Sequence, residues 1–276
     1  EAEEYSVKRR SSASRIPKKM KGELKVLVLR RLALDWSPEQ IAGRLKLEGI
    51  HISHETIYKY VREDRSAGGF LYQHLRHGGK KYRSQKLRQA GVHCIPNRVG
   101  ISERPAEVNE KLNIGHWEGD TVISHRSRCA LVTHVERVSK YLKTKKIGRK
   151  TMENTNVATC NLLKKHKKFV NSITFDNGKE FADHRSIAKA FGAKIYFARP
   201  YKSCDRGLNE HTNGLIRQYL PKKRDFADVM DKKIREIQSL LNNRPRKVLN
   251  FRTPHEVFFG YEPFSTVTCT AVALQI

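Results

Sequence analysis

Residues 174–181 read TFDNGKEF, an apolar approach through Ile173 and Phe175 that halts on Asp176, with Asn177 and Gly178 immediately after. Two readings compete, and each carries a different fold. Asn-Gly between extended runs is the strongest short-range hairpin signal, and aspartate beside it is ordinary turn chemistry. A strand that ends at Asp176 and passes into a helix would instead present the carboxylate to the crevice where open α/β sheets bind ligands. The flanks decide between them. Residues 154–165 have helical spacing, 182–191 are helical again and 194–198 read as a strand. Strand and helix alternate, which argues for parallel pairing and places Asp176 at a strand-to-helix exit.

Upstream, WEGDTVI (117–123), CALVTHVER (129–137) and YLKTKKI (141–147) are β-rich segments separated by short polar turns, as in an antiparallel meander. The fold class expected is therefore α/β, with a five-stranded mixed sheet flanked by helices. Asp120 lies inside its first strand and Asp176 at the end of its fourth, and these two strands are expected to be neighbours.

A third acid comes from DRGLNEHTNGLIRQYL (205–220). At 100° per residue, Leu208, Thr212, Leu215 and Tyr219 fall on one side, while Glu210, Asn213, Gly214 and Arg217 fall on the other. Glu210 therefore does not anchor the core. Gly214 inside a helix costs about 1 kcal/mol relative to alanine, and it clears space beside Glu210. Three carboxylates in one partly dehydrated cleft repel one another, and divalent cations relieve that repulsion. Mg²⁺ takes hard oxygen ligands and leaves part of its shell for substrate phosphate. Two such ions, about 3.5 to 4 Å apart, suit an in-line displacement at phosphorus.

Charge points to the same class of substrate. The 276 residues hold 55 Lys plus Arg against 28 Asp plus Glu, a net +27. The excess runs along the whole chain, with 24 basic against 13 acidic residues over 1–112 and 31 against 15 over 113–276. A polyanionic partner is implied, and double-stranded DNA fits best. A membrane partner is not expected, because no apolar run is long enough to cross a bilayer and no segment pairs a basic face with bulky apolar anchors. Cys94, Cys129, Cys160, Cys204 and Cys269 are odd in number and widely spaced, and read as free thiols in a reducing compartment. The pairs His51/His54 and His74/His77 lack the two further ligands a zinc site needs.

Domain organisation follows from texture. Residues 1–20 are basic and Ser-rich, a flexible arm. Residues 21–64 carry three helical patterns: Leu24, Leu27, Val28 and Leu32; then SPEQIAGRL, where Ser37 and Gln40 form a capping box and Pro38 suits the first turn; then SHETIYKYVRE, capped by Ser53. This is the outline of a helix-turn-helix. Its third helix would turn His54, Lys59 and Arg62 toward DNA. Residues 65–112 form a basic linker, with eight cations and no acid between Arg65 and Ser102, and Lys80, Lys81 and Arg83 are its expected phosphate contacts. Residues 113–276 form the mixed-sheet domain.

GHWEGD around Asp120, TFDNGKEF around Asp176 and RGLNEHTNGLIRQYLPK around Glu210 resemble the DDE transposases of bacterial insertion sequences, in particular the insertion sequence 30 family. WSPEQIAGRL, SHETIYKYV, IPNRVGISERPAEV and NNRPRKVLNFRTPHEVFF extend the resemblance over nearly the whole chain. It implies a ribonuclease-H-like, retroviral-integrase-like core after a small all-α helix-turn-helix domain. It implies Asp120, Asp176 and Glu210 as ligands of Mg²⁺ or Mn²⁺, which serve cleavage at an element end and attack of the freed 3′-hydroxyl on target DNA. Arg217 matches a basic residue expected to touch phosphate, and Asn213 and Lys222 in the same motif are further expected DNA contacts. The chain departs from the family at Cys204-Asp205, where Trp-Glu is common, and at His211, where Asn is common. The resemblance further implies terminal inverted repeats and target DNA as partners, a homodimer or higher assembly on DNA, a cytoplasmic, nucleoid-associated location and a further helix-turn-helix upstream of Glu1. The alternative is a DNA-binding repressor derived from a mobile element and lacking the chemistry, from which only the acid triplet separates the enzyme.

Overall fold

The computed structural model describes residues 20–76, 78, 95–199 and 203–262. Residues 1–19 of the expected arm and the linker cations Lys80, Lys81 and Arg83 lie outside these. Two compact units are formed: one from the described residues up to 78 together with 245–252, the other from 95–244 together with 253–261.

The first unit is helical, with α1 (Gly22–Ala33), α2 (Pro38–Leu47) and α3 (His54–Ser66). Val28 and Leu32, Ile41 and Leu45, and Ile57 and Val61 meet in one core, each at helical spacing on its own element. The cap pattern is seen in full. Ser37 Oγ accepts from the Gln40 N–H, Gln40 Oε1 accepts from the Ser37 N–H at 2.9 Å, and Ser53 Oγ accepts from the Thr56 N–H. On α3, His54 and Arg62 are exposed and Lys59 is partly so, all off the buried stripe. Gly43 on α2 lies against the Phe251 ring, where a Cβ would come within 2.3 Å.

The second unit is built on a five-stranded sheet of β1 (His116–Ile123), β2 (Ala130–Glu136), β3 (Leu142–Ile147), β4 (Ser172–Phe175) and β5 (Lys194–Phe197), in the order β3-β2-β1-β4-β5. The first three strands pair antiparallel, and β1 with β4 and β4 with β5 pair parallel. The neighbouring first and fourth strands expected from the sequence are observed. Helices α5 (Met152–Leu163) and α6 (His184–Phe191) supply the crossovers.

Alternation along β1 divides the core into two layers. Trp117 joins Phe175, Phe181, Ile187 and Phe191 in one, and Val122 joins Leu215, Ile216, Ile234 and Leu241 in the other. The second layer is closed by α7 (Gly207–Tyr219) and α8 (Asp231–Asn242). Register then fixes the geometry of the acids. Glu118 pairs with Thr174 across the parallel β1–β4 ladder, so two residues further on Asp120 and Asp176 leave the adjacent strands at the same level and on the same face. Two short helices complete the unit, α4 (Ala106–Glu110) and α9 (Pro254–Phe259).

Candidate functional site

Asp176 follows β4 directly, and the chain turns into a short 3₁₀ segment (Lys179–Phe181) and then α6, so no hairpin forms at Asn177-Gly178. Turn chemistry is nonetheless present. Asp176 Oδ1 accepts from the Gly178 N–H at 3.0 Å, an aspartate bonding its own backbone two residues on. Asn177 Nδ2 donates to the Ala198 carbonyl at 2.8 Å, which ties the strand exit to the end of β5. One Asp176 oxygen thus holds the turn while Oδ2 faces the crevice.

The partner there is a residue that the sequence reading did not single out. Arg206 Nη1 lies 3.3 Å from Asp120 Oδ1 and 3.5 Å from Asp176 Oδ2. Burial raises the Asp176 pKa above the usual carboxylate range, Arg206 opposes that rise, and Asp120 and Glu180 add to it. Arg206 was legible in principle. With Glu210, Asn213 and Arg217 it makes the spacing i, i+4, i+7, i+11 in the sequence, although Arg206 itself stands just before the helix.

Helix α7 meets the same acids. Asn213 Nδ2 donates to Asp120 Oδ2 at 2.8 Å, and Asp120 Oδ1 accepts from the Thr121 N–H. Glu210, one turn earlier on that face, is exposed at the start of the helix. Among the described residues no three His, Cys, Asp or Glu side chains are grouped closely enough to hold a metal ion. The structure therefore brings Asp120 and Asp176 together around a guanidinium, and leaves Glu210 exposed on the first turn of α7, not grouped with them.

Two buried polar groups support the pair. Glu180, reached from the other face of β1, accepts from Thr121 Oγ1 at 2.8 Å and pairs with Lys150 Nζ at 2.7 Å. Gly178 makes room for it, since a Cβ there would lie 2.4 Å from the Glu180 carboxylate. On the face of Asp120, Glu118 is buried 3.2 Å from Arg137 Nε, and Arg104 Nη1 donates to Thr174 Oγ1 at 3.0 Å. Burial holds Glu118 above its ordinary pKa against the pull of Arg137, and lowers Arg104 to about 10, with Arg137 contributing.

The remaining expected contacts are placed as follows. Arg217 Nη2 donates to the Ile123 carbonyl at 2.7 Å, and its guanidinium lies 5.4 Å from the centre of the Phe226 ring, so in this state it ties α7 to the end of β1. Lys222 is exposed just past the helix. His54 and Arg62 flank Glu55 at 3.6 and 3.8 Å on the surface of α3. Among the described residues no helix is long and apolar enough to cross a membrane.

The integrase core domain family matches residues 111–203, the segment that carries Asp120, Asp176 and all five strands. The chain is 44% identical over 233 residues to the transposase of insertion sequence element IS4351 from Bacteroides fragilis, covering 84% of this chain and 71% of that one. It is 37% identical over 251 residues to the InsI transposase of IS30A from Escherichia coli K12, covering 85% and 64% respectively. It is 34% identical to the IS1086 transposase of Cupriavidus metallidurans, covering 80% and 68%. Among solved structures, the catalytic core domain of BIV integrase aligns with a TM-score of 0.44 at 18% identity, covering 54% of this chain and 95% of that one. The chain thus spans about two thirds of the length of these transposases.

Proposed function

The chain belongs to the insertion-sequence transposases of the IS4351 and IS30 kind, and from that premise we propose that it cuts DNA at the ends of a mobile element and joins the freed 3′-hydroxyl to target DNA. One observation carries the reading: two strand-borne carboxylates converge in a basic protein on a single cation at the crevice of an integrase-type core.

Asp120 and Asp176 are the residues that would hold a divalent cation, Mg²⁺ or Mn²⁺, with Glu210 as the third ligand from α7. The donor set suits such an ion, since it offers hard carboxylate oxygens, and the positively charged Arg206 between them already stands where a cation is attracted. A bound divalent ion, or a pair of them, would activate the attacking oxygen and offset charge on the leaving one. The protein's own groups supply the rest. The β1–β4 register sets the spacing of the two aspartates, and the Gly178 N–H fixes the rotamer of Asp176. Asn213 docks α7, the helix that carries Glu210, on Asp120.

Cleavage breaks the bond between phosphorus and the O3′ of the element's terminal nucleotide as water attacks in line, leaving a 3′-hydroxyl on the element and a 5′-phosphate on the flanking DNA. Joining exchanges one phosphodiester bond for another, as that hydroxyl displaces a target 3′-oxygen. The exposed basic face of α3, with His54, Lys59 and Arg62, is assigned to duplex DNA, as are Lys222 and the linker cations Lys80, Lys81 and Arg83. Joining two element ends calls for at least a dimer on DNA, working in the cytoplasm at the nucleoid.

The test is incubation with Mg²⁺, a duplex carrying an element end and a supercoiled target, beside Asp176→Asn. Cleaved and joined products from the parent protein alone support the reading. Cleavage without joining reduces it to a nuclease, and binding with no product from either protein leaves a DNA-binding repressor.

A further inference from the structure

The crevice contains a feature that metal chemistry does not require. Arg206 is mostly buried, yet its Nε and Nη1 make no hydrogen bond among the described residues. A guanidinium pairs most strongly with carboxylate through two parallel hydrogen bonds. Here one nitrogen is instead shared between two carboxylates of different strands, at 3.3 and 3.5 Å and without hydrogen-bond alignment. Arg206 is held by charge rather than by directional bonding.

Arg206 stands at the entrance of α7 rather than within it. It ends a 3₁₀ turn (Ser203–Arg206) and precedes the first residue of α7 with φ −132° and ψ 35°, outside the helical region. Glu210, four residues on, is exposed in the first turn of that helix. A single helix start thus carries a cation that occupies the acid pair and an anion that stands outside it.

We propose that Arg206 is a built-in counter-ion: it neutralises Asp120 and Asp176 in the metal-free protein and is displaced by the incoming divalent cation, whose arrival draws Glu210 inward as Arg206 leaves. Two cations cannot share one gap between the same oxygens, since ligand oxygens lie about 2.1 Å from Mg²⁺. The exchange keeps the pair from standing as two uncompensated charges in a partly desolvated crevice. Its consequence is weakened metal affinity, because apparent affinity falls by the fraction of molecules with the site free. The inference rests on the metal-dependent reading given above.

The test is Mn²⁺ binding to the full chain without DNA, read from the electron paramagnetic resonance signal of free Mn²⁺, for the parent protein, Arg206→Ala, Arg206→Gln and Asp176→Asn. If Arg206 occupies the pair about nine-tenths of the time, both arginine variants should bind roughly tenfold tighter, while Asp176→Asn loses the site. Binding to the arginine variants that is equal to or weaker than the parent's, with Asp176→Asn still defective, overturns the counter-ion and leaves the catalytic reading intact. Parent and Asp176→Asn binding alike overturns both. Should neither arginine variant fold, the Arg206 Nε–H resonance of the parent protein decides. It is expected to shift with Mg²⁺ in the parent and not in Asp176→Asn, and an unmoved resonance overturns the proposal.

Discussion

The Asn213 side-chain amide donates a 2.8 Å hydrogen bond to Asp120 Oδ2, joining residues 93 positions apart. With the Arg217 bond to the Ile123 carbonyl, it ties the helix bearing Glu210 to the strand bearing the first acid. Hydrogen bonds to charged groups contribute about 1.5 to 3 kcal/mol. Asn213→Ala is therefore expected to slow strand cleavage on the order of ten- to a hundredfold. Asn213→Asp, which sets a like charge beside Asp120, should slow it further. Single-turnover cleavage of an element-end duplex measures both, and a rate unchanged in Asn213→Ala would show that α7 is positioned without this bond.

Gly119 precedes Asp120 on β1 and faces the opposite layer, where a Cβ would fall 2.3 Å from the Phe175 ring and 3.1 Å from the His134 ring. Overpacking of this kind costs about 1 to 3 kcal/mol. Gly119→Ala should lower the thermal midpoint by several degrees, roughly as expected for a chain of this size. It should also disturb Asp120, so activity should fall even at temperatures where the variant remains folded.

The acids were legible because their signals are local. A strand pattern ending in DNG shows where Asp176 sits, and counting residues shows which face of its helix Glu210 occupies. The pairing of β1 with β4 followed from strand–helix alternation. What was not legible lay in contacts between distant segments. The Glu118–Arg137 pair and the Arg104–Thr174 bond join positions that composition shows only as charges in a basic chain. Helices α8 and α9 were passed over, although α8 places Ile234, Ile237 and Leu241 in the core at helical spacing, a periodicity open to reading. Arg206 was missed because the helix was read for its carboxylate, and a cation beside two acids counts as ordinary until the strands are adjacent.

His134 on β2 is completely buried, accepts or donates one hydrogen bond with Thr159, and has its pKa lowered by burial to about 3. The folded state thus keeps it neutral where the unfolded chain, with an ordinary value near 6.5, takes up a proton. Stability from this group is fully present above about pH 6.5 and declines as pH falls toward 3, with a slope of up to about 1.4 kcal/mol per pH unit. His134→Gln should flatten the acid limb of a denaturation series in that window. A limb equally steep in the variant would assign the loss to other groups.

Glu118 and Arg137 form a buried ion pair two residues before Asp120 on the same face. Removing one partner strands the other charge, at a cost of about 3 to 5 kcal/mol. Arg137→Ala should therefore destabilise far more than removal of the exposed Lys233, whose ion pair with Glu236 lies on the surface of α8. Chemical denaturation of the two variants checks the contrast.

A net charge of +27 predicts DNA affinity that falls steeply with salt, by orders of magnitude between roughly 50 and 200 mM when several phosphates are neutralised. Fluorescence anisotropy with a labelled duplex gives the slope. A flat dependence would remove the extended phosphate track along the chain.

Anomalous scattering from crystals soaked in Mn²⁺ reaches the centre of the question without any assay of turnover. A peak bonded to both Asp120 and Asp176, with Arg206 withdrawn and Glu210 turned inward, is the expected result. A peak elsewhere, or none at saturating Mn²⁺ with Arg206 still between the two aspartates, would contradict divalent-cation chemistry at this pair.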